Sequence, residues 1–220
     1  MEILDLHKQW KHLYNPSAKK VEVVQVPRFQ FAMLDGVIEA GHGPGSSPTF
    51  QAAMEALYGV SYTLKFMVKQ RKENPVDYPV MALEGLWGTD NFDRATFDIT
   101  QPAGWQYSVM IMQPDLITAD LFQEGLAKLR KKRGDQPAFA QLRLESLEER
   151  QAIQIMHIGP YATEMETIAR MDVFAEANGY KLHGRHHEIY MGDPRKAAPD
   201  KLKTILRHPV KKRKNKITQL

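Results

Sequence analysis

The chain has no cysteine. That excludes disulfides, thiolate metal centres and thiol nucleophiles, and it suits a reducing compartment. There is no apolar run long enough to cross a bilayer. The opening Met1-Glu2-Ile3-Leu4-Asp5 has no basic stretch followed by an apolar core, so a cytoplasmic protein without a secretion signal is expected. A Gly-x-Ser-x-Gly elbow is missing, as are dinucleotide and Walker fingerprints. Gly41-His42-Gly43-Pro44-Gly45 is rich in glycine but lacks the Lys-Ser/Thr pair of a phosphate loop. It reads instead as a loop into a helix capped by Ser47, with Pro48 at its first position.

What is present suits one substantial core. The chain has 220 residues, of which 43% are apolar, ordinary values for a globular protein. Thirty Lys and Arg against 26 Asp and Glu give a formal charge of +4. The excess gathers in two runs, Lys128 to Arg133 and Lys211 to Lys216. The first falls at the end of an expected helix, where cations complement the dipole; the second reads as a solvated tail. No helix-turn-helix, zinc finger or aromatic-and-basic strand accompanies them, so nucleic acid is not expected as a partner.

Periodicity and punctuation divide the chain twice into strand, turn, helix, strand, strand. The first copy has an extended segment at Val21–Val26 ending at Pro27, with Phe29, Phe31 and Met33 alternating after it. A helix from Pro48 to about Arg71 follows, with a break possible at Gly59, and then strands at Val80–Leu86 and Gln106–Met112. A helix begins at Thr118 and is stopped by Gly134. The second copy has a strand at Ala152–Ile158, a helix through Asn178 opened by a Thr163/Glu166 capping box, and strands at His187–Met191 and Leu202–Val210. Neither half covers its own apolar face, so one pseudo-symmetric domain is expected over 21–210, with 1–20 as an N-terminal docking segment and 211–220 as a basic tail.

The stretch His186-His187-Glu188-Ile189-Tyr190-Met191 carries the chemistry. If extended, its period of two puts His186, Glu188 and Tyr190 on one face and His187, Ile189 and Met191 on the other. Carboxylates are seldom buried without a partner or a purpose; the plain alternative is an edge strand with a wet face. Around Glu188 the candidate ligand-binding residues are Trp87, Trp105, Tyr107, Tyr161, Tyr62 and His186, although core packing is an equal reading for the aromatics. Tyr62 belongs to a helical stripe, Tyr58, Tyr62 and Phe66. His157 is read as a structural histidine. His183, His186 and His187 do not make a metal site, because His186 and His187 point to opposite strand faces and no thiolate is available. No metal or cofactor is expected.

Three strings, Ile155-Met156-His157-Ile158-Gly159-Pro160-Tyr161, His187-Glu188-Ile189-Tyr190-Met191-Gly192-Asp193-Pro194-Arg195, and Pro199 through Val210, make the chain resemble the GyrI-like small-molecule-binding proteins. Because only some twenty residues precede the first strand, it is similar to the stand-alone subfamily, whose members resemble cyclopropanoid cyclopropyl hydrolases. The resemblance implies an α+β fold in which duplicated βαββ modules form a concave antiparallel sheet with two backing helices and a central ligand cleft. It places Glu188 and Tyr190 at the family's acid and tyrosine positions, as catalytic residues if there is turnover. Glu188 then acts as a base on water with Tyr190 as donor to a developing oxyanion, or the two exchange roles. The implied partner is an aromatic or cationic hydrophobic small molecule; non-catalytic sensing or sequestration, with a protein partner or a second copy, is the alternative function. Glu84-Gly85-Leu86-Trp87 is followed by Gly88 where such proteins often carry a second tryptophan.

Overall fold

Two strands of 16 residues each, β2 (Glu22–Val37) and β6 (Arg143–Ile158), run antiparallel along one side of the molecule. The computed structural model describes residues 1–88, 104–193 and 196–213. Glu22 pairs with Gln154 and Met33 with Arg143, so the two strands cross symmetrically. On the far side β4 (Leu83–Trp87) and β8 (His186–Tyr190) cross in the same way about the pair Gly85–Glu188. Between them lie β5 (Gln106–Gln113), joined to β2 and β4, and β9 (Lys203–Lys212), joined to β8 and β6. Six antiparallel strands therefore close on themselves. The expected concave sheet becomes a ring, because β9 reaches back to pair with Ala152–Ile158 of β6. Closure leaves neither side of this sheet as an open edge.

The helices follow from local signals. In α3 (Pro48–Lys69), Ser47 accepts a hydrogen bond from the Phe50 amide at 3.1 Å and Pro48 stands in the first turn. The helix continues through Gly59. Leu57, Val60, Leu64 and Val68 are fully buried, and each such burial contributes about 1.5–3 kcal/mol against roughly 1 kcal/mol for a helical glycine. Gly59 has a use here: a Cβ on it would lie 3.2 Å from Leu129 in α4 (Ala119–Arg133), the helix packed across it. Thr118 caps α4 and Gly134, at φ 78°, ends it. In α6 (Glu164–Ala177) the capping box does not form. The Thr163 hydroxyl donates instead to the Pro160 carbonyl at 2.8 Å, closing a single 3-10 turn at Tyr161–Thr163.

Three further boundaries differ from expectation. Pro27 does not end the first strand: it sits where no bridge forms, between the pairs Val26–Arg150 and Arg28–Glu148, so its missing N–H takes nothing from the ladder. β6 starts nine residues earlier than alternation suggested. Arg150 adopts φ 61°, and the burial pattern slips there, with Glu149 and Ala152 both buried; a strand whose alternation slips is illegible to a period-two test. Lys211 and Lys212 are not tail residues. They pair with β7 (Tyr180–Leu182), and the Lys212 ammonium lies 4.0 Å from the centroid of the Tyr180 ring.

Residues 1–14 form β1 (Glu2–Ile3), α1 (Leu6–Gln9) and α2 (Lys11–Tyr14). β1 pairs in parallel with β3 (Val76–Asp77). Leu6, Leu13 and Tyr14 are buried in the main core, and Trp10 packs edge-on against Phe29 at 4.9 Å. A short helix α5 (Pro137–Gln141) buries Phe139 before β6. No helix among the described residues is long and apolar enough to cross a membrane.

Candidate functional site

β8 carries different chemistry on its two faces. His186, Glu188 and Tyr190 face the side on which α6 packs, and His187 and Ile189 face the inside of the ring. The outward set forms a chain of contacts. Tyr190 donates to Glu188 Oε2 at 2.8 Å and accepts from the Trp87 indole N–H at 2.9 Å. His186 Nε2 lies 3.4 Å from Glu188 Oε1. Glu188 is 7% exposed. Burial, followed by the charge of Glu188, pushes the Tyr190 phenol well above its ordinary value. The phenolic proton is thus committed to Glu188, which removes Tyr190 as a ready donor to anything else.

Local symmetry explains how room is made for this. The β4–β8 crossing makes Glu84-Gly85-Leu86-Trp87 equivalent to His187-Glu188-Ile189-Tyr190. Trp87 is the counterpart of Tyr190, and Gly85 that of Glu188. A Cβ on Gly85 would come within 3.1 Å of the Trp87 indole nitrogen and 3.2 Å of the Tyr190 hydroxyl. One half of the duplication therefore supplies the acid, and the other leaves a gap into which the two ring groups reach.

A second carboxyl stands beside the first. Glu164 opens α6 and is 1% exposed. Among the described residues its Oε1 is buried without a hydrogen bond of ordinary geometry. Burial, then the Glu188 charge, raises its pKa to about 9, with the Thr204 hydroxyl acting the other way. A helix N-terminus favours a carboxylate by only about 0.3–1 kcal/mol, too little to reverse that shift. Glu164 accordingly carries a proton at neutral pH.

The aromatic candidates separate into two groups. Trp87 and Tyr107 are buried: Trp87 stacks on Phe50 at 5.6 Å, and Tyr107 meets Phe50 edge-on at 5.0 Å. They form the backing of the site rather than an open wall, which for these two is the core-packing alternative. Trp105 is partly buried and meets Trp87 edge-on at 5.7 Å. Tyr161, partly exposed, meets Tyr190 edge-on at 5.9 Å, and burial followed by Glu164 and Glu188 raises its pKa to about 12. Tyr62 is 48% exposed and stacks on Tyr58. His186 is fully buried, its ring 5.9 Å from that of His208. His157 bonds Thr167 Oγ1 at 2.9 Å and lies 3.3 Å from the Pro160 carbonyl, joining β6 to α6.

The inward face holds a charged network that periodicity gave no sign of. His187 Nε2 lies 2.9 Å from Glu84 and its Nδ1 3.0 Å from Glu149. Arg207 reaches Glu149 at 3.1 Å, Gln154 at 3.1 Å and the Leu13 carbonyl at 2.9 Å, while the Tyr14 hydroxyl donates to Glu84 at 2.7 Å. Burial alone would lower the His187 pKa, but Glu149 and then Glu84 raise it to about 9. Burial alone would raise that of Glu149, yet His187 and Arg207 bring it to about 2. The docking segment is thereby tied to the ring through Leu13 and Tyr14. A cavity of about 720 Å³, lined in part by Asp35, Ser108, Arg143, Glu149 and Arg185, opens on this side; Glu188 is not part of its lining. Among the described residues, no group of three or more His, Asp or Glu side chains is arranged to hold a metal ion.

A duplicated βαββ ring with a buried acid on the helix-bearing face of its β4–β8 crossing is the architecture of a small-molecule-binding domain. The chain belongs to the family of the GyrI-like small molecule binding domain, whose model matches residues 19–211. It is similar to an uncharacterized conserved protein from Listeria innocua, with 35% identity and a TM-score of 0.84 over 94% of this chain and 100% of that one. It is also similar to a hydrolase encoded by lin2189 from Listeria innocua, with 33% identity and a TM-score of 0.81 over 96% of this chain and 100% of that one. No curated protein matches the chain in sequence. The fold also occurs in EcmrR, solved in its complex with DNA, at 10% identity and a TM-score of 0.52 over 94% of this chain and 63% of that one. That occurrence corrects the expectation drawn from the missing DNA-binding motifs: a fold found in a DNA-bound protein gives no ground for setting nucleic acid aside.

Proposed function

We propose that the protein binds a hydrophobic aromatic small molecule at the face that carries Glu188, with a preference for cationic ones, and that it senses or sequesters it. The buried carboxylate carries this reading. A carboxyl removed from water needs partners, and among the described residues Glu188 is met by the Tyr190 phenol and the His186 ring. A bound cation would complete the pairing, and the ring faces of Trp105 and Tyr161 would add to it. Each aromatic contact contributes about 0.5–1.5 kcal/mol beyond burial. The absence of cysteine suits action in the cytoplasm.

A second reading, hydrolysis of cyclopropanoid alkylating compounds, is favoured by the full-length likeness to the 33%-identical hydrolase from Listeria innocua. In that reaction water adds to a cyclopropane carbon, the strained C–C bond breaks toward the dienone, and the former carbonyl oxygen takes up one proton while water loses one. In this reading Glu188 accepts the proton from water.

Incubation with a cyclopropanoid compound separates the two readings. Ring-opened product in excess of protein, lost in Glu188→Gln, establishes turnover. Saturable binding with no product establishes sequestration, and no binding by either the native protein or Glu188→Gln refutes both.

A further inference from the structure

We propose that the outer face of α3 is a self-recognition surface, across which two copies of the chain associate antiparallel about a twofold axis at Tyr62. The surface is built on an aromatic ridge. Tyr58, Tyr62 and Phe66 are 38%, 48% and 47% exposed, and among the described residues no other Phe, Tyr or Trp is as open. Single apolar side chains scattered over a surface are ordinary, but three aromatics at successive spacings of four stand in line along one side of a helix. The fold does not need them there. α3 is held from its opposite side by Leu57, Val60, Leu64 and Val68, all fully buried. On its flank α4 packs with Leu129 over Gly59 and Gly125 against Leu64 and Met67.

Charge decides what covers the ridge. At about 100° per residue, Glu55, Tyr58, Tyr62, Phe66 and Lys69 fall within an arc of about 80°. Their places are symmetric about Tyr62, with an aromatic four residues away on each side and a charge seven residues away on each side, acid at one end and base at the other. The face is therefore its own complement when reversed. An antiparallel copy centred on Tyr62 sets Tyr58 against Phe66 of the partner subunit and Glu55 against Lys69 of the partner subunit, and each contact occurs twice, as a twofold interface requires. Both charges are open to such a partner. Glu55 is exposed and has no ion pair among the described residues. Lys69, with its side chain 37% exposed, shares the single carboxylate of Asp77 with Lys65, at 2.6 and 3.1 Å, which leaves one positive charge of the two uncompensated. A partner of uniform charge, acidic or basic, would be attracted at one end of the ridge and repelled at the other. A contact carried by one helix from each copy is smaller than the ~1,200 Å² of a standard interface, so the association is reversible, with a dissociation constant of about 10–100 µM.

Sedimentation velocity of the full chain from about 1 to 300 µM tests this. The native protein is expected to pass from monomer to dimer over that range. Glu55→Lys and Lys69→Glu each set like charges against one another twice and should weaken association about tenfold or more. Mixed in equal amounts, the two variants restore opposite charges at both ends, and their heterodimer should lie within about threefold of the native affinity. Tyr62→Lys, which puts two ammoniums on the axis, should stay monomeric with an unchanged melting midpoint, while Val173→Lys, at a 68% exposed position of α6, should associate like the native protein. Tyr62→Lys decides alone if Lys69→Glu, which faces Asp77, does not fold. Dimers of Tyr62→Lys, or no gain in association on mixing the two folded charge variants, overturn the twofold arrangement. A native protein that is still monomeric at the highest concentration leaves the ridge to a different partner and overturns the proposal.

Discussion

Replacing His187 by Gln should flatten the dependence of stability on pH between about 6.5 and 9. His187 is completely buried, with a carboxylate 2.9–3.0 Å from each ring nitrogen. Its folded pKa of about 9 lies above the ordinary 6.5, so the folded state holds its proton more tightly than the unfolded chain does. The resulting stabilisation is fully present below pH 6.5 and is lost as pH rises through about 9. At 1.36 kcal/mol per unit it amounts to roughly 3 kcal/mol. Glu149, lowered to about 2, is the other end of much of the same attraction. Its stabilisation is present above pH 4.5 and lost as pH falls toward 2, and the two figures describe one interaction and are not added. Urea denaturation of the native protein and of His187→Gln at half-unit steps from pH 5 to 9.5 measures the effect. The difference between the two proteins should be largest near pH 5–6 and shrink by roughly 3 kcal/mol by pH 9.5. Groups that titrate alike in both proteins, Glu164 included, drop out of that difference. A difference that does not change with pH would show that the fold leaves the His187 pKa at its ordinary value, and one that grows from pH 5 to 6.5 that the ring is neutral there; either would refute the charged network.

Other perturbations test separate parts of the account. Arg207→Met leaves Glu149 with His187 as its remaining ion-pair partner and frees the Leu13 carbonyl; a loss of about 3–5 kcal/mol in chemical denaturation is expected, and a loss under 1 kcal/mol contradicts the charge-pair reading. Gly85→Ala should cost about 1 kcal/mol and shift tryptophan emission, because the added methyl crowds the Trp87–Tyr190 bond; an unchanged spectrum would mean that the bond gives way without effect. For Glu164, a carboxyl whose folded pKa is raised, the sign is opposite to that of Glu149. Its protonated form is favoured in the fold, so it costs stability as pH rises from 4.5 toward 9. The thermal midpoint of Glu164→Gln should therefore gain on the native protein over that range, and parallel curves would place the proton elsewhere.

Much of the architecture was written locally. Ser47-Pro48, Thr118 and Gly134 act through their own backbone neighbours, and they mark the start of α3 and both ends of α4 without help from the rest of the chain. The alternation of His186 to Tyr190 likewise assigns Glu188 and Tyr190 to one side of β8 and His187 to the other, because a strand's period is fixed by covalent geometry. Even the equivalence of Glu84-Gly85-Leu86-Trp87 with His187-Glu188-Ile189-Tyr190 stands in the residues as a repeated aliphatic-aromatic ending.

Tertiary structure decided the rest. Whether Trp87 and Tyr107 face a ligand or a core depended on where Phe50 of α3 lands. Glu164 in a first helical turn looks like an ordinary dipole partner until α6 docks over β6 and β9 and takes it out of water. The Tyr14–Glu84–His187–Glu149–Arg207 network joins five segments distant in sequence, and nothing local distinguishes its members from surface residues. Closure of the ring settles all of these together. Periodicity states which side of a strand a residue occupies, but only the pairing of β9 with β6 and of β4 with β8 determines what stands opposite it and whether water remains between.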